Sequence, residues 1–184
     1  MQRVVVDAGQ IEGDVLRLSG EQQHYLRRVL RLQPDERFIA LDGQGNLWLA
    51  TLLATEGKAL LSSVSASQRY LLPKPQITLA ACLPKQGFDE VVRQVTELGV
   101  DEIVPVLSDR TLLRPSQNKV DSWRRIAAEA TAQSERLTVS HLRDPMGWSE
   151  WLKTDVSDHH FICVARQSAP SLLSVCLSKP MIQS

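Results

Sequence analysis

Residues 76–107 read QITLAACLPKQGFDEVVRQVTELGVDEIVPVL, and this stretch decides the class of fold. Gln76 to Leu83 is a continuous apolar run without alternation, the pattern of a strand buried on both faces. Phe88, Val91, Val92, Val95 and Leu98 then recur at helical spacing. Gly99 stands just past them, where a helix can end in the left-handed region. Ile103 to Leu107 is the next strand. This order predicts a parallel sheet with right-handed crossovers. The same grammar runs on downstream. Asn118 to Arg136 reads as a long helix with Trp123, Ile126, Ala127, Ala130 and Leu137 along one side. Val139 to Leu142 is a third strand, Asp144-Pro145 a turn, Trp148 to Lys153 a short helix, and His160 to Ala165 a fourth strand.

Upstream the grammar is different. Val4 to Val6 and Val15 to Leu18 are short β-prone pieces separated by Gly9 and Gly13. Ser19 or Gly20 can cap a helix from Glu21 to about Leu32, with Glu21 in the first turn and Pro34 as the stop. Tyr25, Leu26, Val29 and Leu30 give that helix one apolar stripe. Arg37 to Leu41 and Leu47 to Leu53 are strands joined by Asp42-Gly43-Gln44-Gly45-Asn46, a hairpin-type connection. Glu56-Gly57-Lys58 turns into a last strand, Ala59 to Val64. Short strands at this spacing suggest a small barrel. Leu72-Pro73-Lys74-Pro75 has the composition of an extended linker and divides the chain into 1–72, a barrel, and 73–184, an α/β domain.

Composition limits what such a molecule can be. The chain has 184 residues, 43% of them hydrophobic and 23% charged, which is ordinary globular usage. Lys and Arg number 21, as do Asp and Glu, so no global field draws the chain to nucleic acid or membrane and any attraction must come from local clustering. No apolar run approaches the roughly 20 residues that span a bilayer, and Met1-Gln2-Arg3-Val4-Val5-Val6-Asp7 is too short and too soon charged for a signal peptide. Cys82, Cys163 and Cys176 form no C-x-x-C pair and are expected to be buried, reduced thiols of a cytoplasmic protein.

The sharpest charge feature is Arg27-Arg28-Val29-Leu30-Arg31, which puts three guanidiniums at i, i+1 and i+4 on the first helix. Guanidinium geometry matches phosphate and points to RNA contact, the alternative being a solvated helix face. His24 close by reads as a structural or surface imidazole. His160 and Cys163 would point to opposite faces of a strand, and nothing completes a tetrahedral set, so no metal is expected. Lys85 follows a parallel-type strand, where open α/β sheets bind ligands, and Asp109-Arg110 follows another. Phosphate-loop and dinucleotide glycine patterns are both absent.

The ordered series of residues resembles one family. It runs His24…Arg28-Val29-Leu30-Arg31, Leu41-Asp42-Gly43-x-Gly45, Lys85, Thr96-Glu97-Leu98-Gly99-Val100, Ile103-x-Pro105, Ser108-x-Arg110 and Glu129-Ala130-x-x-Gln133-Ser134-x-Arg136. It is similar to the bacterial small-subunit ribosomal RNA uridine-N3-methyltransferases of the RsmE type. The resemblance implies a PUA-like β-barrel followed by a SPOUT methyltransferase domain, a parallel sheet closed by a C-terminal trefoil knot. It also implies S-adenosyl-L-methionine as methyl donor, small-subunit ribosomal RNA as substrate and a homodimer. Arg27, Arg28 and Arg31, with Arg17, Lys85 and Arg110, are the expected RNA contacts. Val164, Ala165 and Arg166 match the end of the knot's first strand and would line the cofactor pocket, with Glu97 and Arg136 as more distant support. The family's later Gly-Pro-Glu-Gly-Gly and Leu-Gly…Leu-Arg-x-Glu-Thr segments have no counterpart before Ser184, so the cofactor site is expected to be incomplete. The alternative to the enzyme is a non-catalytic RNA-binding relative; a hydrolase has no nucleophile–base constellation behind it.

Overall fold

The computed structural model describes residues 1–55, 57–63, 76–112, 114–155, 157, 159–164 and 168–178. Six strands fill the first part: β1 (Arg3–Val5), β2 (Ile11–Glu12), β3 (Val15–Arg17), β4 (Arg37–Leu41), β5 (Leu47–Leu52) and β6 (Lys58–Ser63). They form one sheet in the order β1-β4-β5-β6-β3-β2, antiparallel except for the β1–β4 pair, and it curls into a half-barrel. Alternation along the strands turns Phe38, Ala40, Ala50, Leu52, Ala59 and Leu61 to one side. The three alanines keep that side narrow where the strands curl. Leu16, Leu26 and Phe38 are fully buried there, each contributing about 1.5–3 kcal/mol of apolar transfer free energy.

Helix α1 (Gly20–His24) starts on a reciprocal cap. Gln22 N donates to Ser19 Oγ at 3.2 Å, and Ser19 N donates to Gln22 Oε1 at 2.8 Å. The regular helix expected to reach Leu32 stops early. Over Tyr25–Val29 the backbone widens into a π turn, in which Leu30 N bonds Tyr25 O at 2.9 Å. Arg31 then takes a left-handed φ of 57°, and the helix ends before Pro34 can act. The wider turn breaks the predicted stripe: Leu26 is buried, while Val29 is rotated out and 58% exposed.

The second sheet is parallel. β7 (Thr78–Cys82) pairs with β8 (Glu102–Leu107), whose other side pairs with β9 (His141–Leu142) and β10 (Met146–Gly147). α2 (Phe88–Leu98) and α3 (Gln117–Gln133) pack on it, and α4 (Trp148–Thr154) covers β8 through Trp151. Among the described residues β7 pairs only with β8, and its residues are partly buried or exposed, so the reading of a strand covered on both faces is corrected. His160 to Val164 forms no strand; it is exposed irregular backbone, with Ile162 at 76%. A β-prone run needs a neighbouring ladder to become a strand, and no described strand pairs with this one. The expected burial of the thiols is also corrected. Cys82 is at the exposed end of β7, Cys163 is in that irregular segment, and Cys176 is half-buried on α5 (Leu172–Ser178), a helix the sequence pattern does not announce. The Leu72-Pro73-Lys74-Pro75 boundary and Val64 lie outside the described residues. No helix among them is long and apolar enough to cross a membrane.

The two sheets are joined through the turn between β4 and β5. Asp42 organises it: Oδ1 accepts from Gln44 N at 2.8 Å and from Asn46 N at 3.0 Å. Val139 N then donates to Gly43 O at 2.9 Å, and Gly45 N to Leu137 O at 3.1 Å, a small antiparallel pairing between barrel and sheet. Arg3 reinforces it by reaching both the carboxylate and the backbone oxygen of Glu135, each at 3.1 Å. Gly43 has φ 69°, and a Cβ there would come within 2.7 Å of Val139 Cγ2. Gly43→Ala should therefore cost about 1–3 kcal/mol from the backbone conformation alone, read as a lower midpoint in chemical denaturation; an unchanged midpoint would mean the joint carries no stability.

α2 and α3 are pinned at one end by Asp89. Trp123 Nε1 donates to Asp89 Oδ1 at 2.7 Å, and Lys119 Nζ lies 2.7 Å from the same oxygen. The Lys119 hydrogen bond, then the one from Trp123, hold the Asp89 carboxyl below its ordinary 3.8 against some desolvation. A lowered folded value gives stability that is complete above pH 3.8 and is lost as pH falls through the folded value. Asp89→Asn should thus be less stable than the parent at neutral pH, with the gap closing in acid. A gap that persists at the acid end would contradict this.

Candidate functional site

The carboxyl ends of β7, β8 and β10 open toward the same side, as parallel strands require, and this is where open α/β sheets bind ligands. Lys85 follows β7 and is exposed; Asp109 and Arg110 follow β8 and are exposed too. Among the described residues neither Lys85 nor Arg110 has an ion-pair partner. Beyond Arg110 the loop is tied by Ser108 N donating to Thr111 Oγ1 at 2.9 Å and by Thr111 N donating to Ser108 O at 2.9 Å. A cleft of about 330 Å³ lies between this loop and the Pro145–Glu150 segment.

The arginines of the barrel separate into two kinds. Arg27 is half-buried, and its Nη2 donates to Leu53 O at 3.1 Å, closing the end of β5. Its Nε is buried without a hydrogen-bond partner. Arg27 is thus held in the half-barrel, because the π turn directs it inward and breaks the single face that i, i+1, i+4 spacing implied. Arg28 and Arg31 are exposed, with no carboxylate partner among the described residues. Arg17 is paired with Glu12 at 2.7 Å.

Three more of the residues singled out in the sequence, Glu97, Arg136 and His160, have structural neighbours. Glu97 lies 2.8 Å from Arg93 on α2, which also holds Glu90 and keeps that carboxyl below its ordinary value. Arg136 lies over the carbonyl end of α2. Gly99 ends the helix at φ 104°, and a Cβ there would meet Arg136 Nη1 at 2.6 Å. A cation at a helix C-terminus is favourable. The Gly99…Arg136 part of the pattern therefore describes a contact at the end of α2. His160 bonds Asp155 Oδ2 at 2.6 Å, and hydrogen bonds from Ser157 and then His160 lower the Asp155 carboxyl despite partial desolvation.

S-adenosyl-L-methionine requires its adenine and methionine ends to be enclosed by backbone groups from several loops. Of the positions matched to it, Ala165 and Arg166 lie outside the described residues, and Val164 is 45% exposed amid exposed Phe161, Ile162 and Cys163. The described residues do not fit the cofactor. The positions that sequence reasoning passed over are Thr111, Arg114, Met146 and Glu150, which line the cleft. Only the proximity of Ser108 to Arg110 hinted at them.

Two family models match the chain. The RNA methyltransferase domain covers residues 72–180, more than half of the molecule, and the RNA methyltransferase PUA domain covers 18–65. The chain belongs to the RNA methyltransferase family. Among curated relatives, ribosomal RNA small subunit methyltransferase E of Synechocystis is 41% identical over 175 residues, 92% of this chain and 57% of that protein. The protein of the same name from Aquifex aeolicus is 29% identical over 136 residues, 72% of this chain and 58% of that one. The chain thus spans somewhat over half the length of both relatives. Ribosomal RNA small subunit methyltransferase E from Neisseria gonorrhoeae, solved bound to S-adenosyl methionine, superposes with a TM-score of 0.71 at 26% identity, over 85% of this chain and 67% of that one. A Legionella pneumophila protein solved with bound cofactor SAM gives 0.72 at 22% identity, with the same coverage of both chains. The half-barrel and the parallel sheet are the PUA and SPOUT parts of this fold.

Arg27→Ala should lower the melting temperature, since it removes a half-buried hydrogen bond worth about 1 kcal/mol. Arg31→Gly should raise stability by about 1 kcal/mol, since glycine takes a positive φ without penalty. Equal melting of the two variants would mean that the π turn does not distinguish them.

Proposed function

We propose that this chain holds small-subunit ribosomal RNA for S-adenosyl-L-methionine-dependent methylation at uridine N3, acting as a homodimer. The observation that carries this reading is a set of exposed cations with no ion-pair partner among the described residues, in a chain of zero net charge: Arg28 and Arg31 on the half-barrel, Lys85 and Arg110 at the strand carboxyl ends. Residues 1–72 are then the RNA-binding barrel and 73–184 the methyltransferase domain, and one RNA touches both. Phosphate contacts of this kind position the RNA without reading it. N3 lies on the Watson–Crick edge, so a paired uridine has to be exposed before it can react.

The exposure of Val164 favours a second reading, in which the chain binds RNA without methylating it. The two are separated by titrating the 184-residue chain with S-adenosyl-L-methionine. Saturable one-to-one binding in the micromolar range, about −8 kcal/mol, supports the methylating reading; the absence of saturable binding leaves the RNA-binding reading alone. Either reading requires RNA binding through the named cations. Arg28→Ala/Arg31→Ala should reduce the salt slope of binding to small-subunit ribosomal RNA by about 1.4, roughly 0.7 per phosphate of a single strand. An unchanged affinity and slope would reduce the pair to a solvated surface.

A further inference from the structure

The cleft beside β8 and β10 does not include Val164 among its lining residues, and its chemistry is mixed. Arg114 supplies a guanidinium, Asp109 and Glu150 two carboxylates, and Pro145 and Met146 an apolar wall. All three charged residues are exposed, and none has an ion-pair partner among the described residues. The volume, about 330 Å³, is at the small end of ligand clefts, roughly 300–1,000 Å³. A bare anion would meet two carboxylates beside one guanidinium, a poor balance. A ligand that offers hydroxyl donors next to an anionic group meets both kinds of charge. A ribonucleotide unit has that arrangement: its phosphate accepts from a guanidinium, its 2′-hydroxyl donates to a carboxylate, and its base lies on an apolar surface.

We propose that this cleft holds one ribonucleotide of the RNA substrate, with the phosphate on Arg114 and the ribose 2′-hydroxyl on the Asp109–Glu150 carboxylates. The proposal rests on the RNA reading above and deepens it. Arg110 does not line the cleft itself but lies in the same loop, between the lining residues Asp109 and Thr111, so RNA held by Arg110 passes close to it. Because deoxyribose lacks the hydroxyl, the site distinguishes RNA from DNA, which Arg28, Arg31, Lys85 and Arg110 as phosphate contacts cannot do.

The test uses the full chain with a short single-stranded RNA of mixed sequence and its deoxyribose counterpart. Arg114→Ala should weaken both about tenfold, the loss expected of one charge-assisted hydrogen bond. Asp109→Ala/Glu150→Ala should weaken the RNA by a similar factor while leaving the DNA unchanged or tighter, so the preference for RNA disappears. If the carboxylates only repel the nucleic acid, their removal tightens RNA and DNA alike, and the proposal is overturned. No effect on either polymer overturns it as well. Should an alanine variant melt early, Arg114→Gln and Glu150→Gln repeat the comparison at matched side-chain size. Binding that persists and depends on Arg28 and Arg31, with the cleft variants silent, defeats this inference alone. Absence of any RNA binding by the parent chain defeats both it and the proposed function.

Discussion

The joint between the β4–β5 turn and residues 137–139 is the constraint on which the rest depends. It consists of two backbone hydrogen bonds, Val139 N to Gly43 O and Gly45 N to Leu137 O, with the Arg3–Glu135 pair beside them. Backbone bonds of this kind add only about 0.5–1.5 kcal/mol each, but they fix register, because they are directional. The turn can approach so closely only because Gly43 has no side chain where Val139 stands. Arg125 of α3 adds a long contact to Glu21 at 3.5 Å, so the first turn of α1 is also referred to the sheet. Cations carried by the half-barrel and cations at the strand ends are thereby held at set distances from each other.

That fixed spacing matters because the chain has no net charge. Several of its surface charges cancel locally: Arg17 with Glu12, Arg93 with Glu90 and Glu97, Arg124 with Asp121 and Asp144, and Arg143 with Glu102. Exposed pairs like these contribute little to stability, but they neutralise positive charge where they form. Arg28, Arg31, Lys85, Arg110 and Arg114 are exposed and without ion-pair partners among the described residues. Local potential, not total charge, then decides where a polyanion is held.

Much of the fold was legible in the sequence because its signals are strong and local. Phe88, Val91, Val92 and Val95 at helical spacing, closed by Gly99, described α2 to within a residue, and Arg37–Leu41 was placed without error. The π turn at Tyr25–Val29 was not legible, since one inserted residue in a helical ladder leaves no mark on an apolar pattern. Its consequence fell on the arginine cluster: it withdrew Arg27 and left Arg28 and Arg31 outside. The strand expected at His160 to Ala165 is absent over its described residues, His160 to Val164, for a different reason. Strand formation is decided by a partner ladder, and composition alone does not reveal whether one is present. The cleft was hidden because Arg114 and Glu150 are far apart in sequence and meet only when β10 pairs with β8.

The central claim is that one RNA touches both the half-barrel and the strand carboxyl ends. Ultraviolet crosslinking of small-subunit ribosomal RNA to the intact chain, followed by mass spectrometry of the nucleotide-bearing peptides, tests it most directly. Adducts should fall both on peptides carrying Arg28 and Arg31 and on peptides carrying Lys85, Arg110 or Arg114, and both should appear on the same RNA molecule. Adducts confined to one of the two regions, with the other clean at saturating RNA, would contradict it.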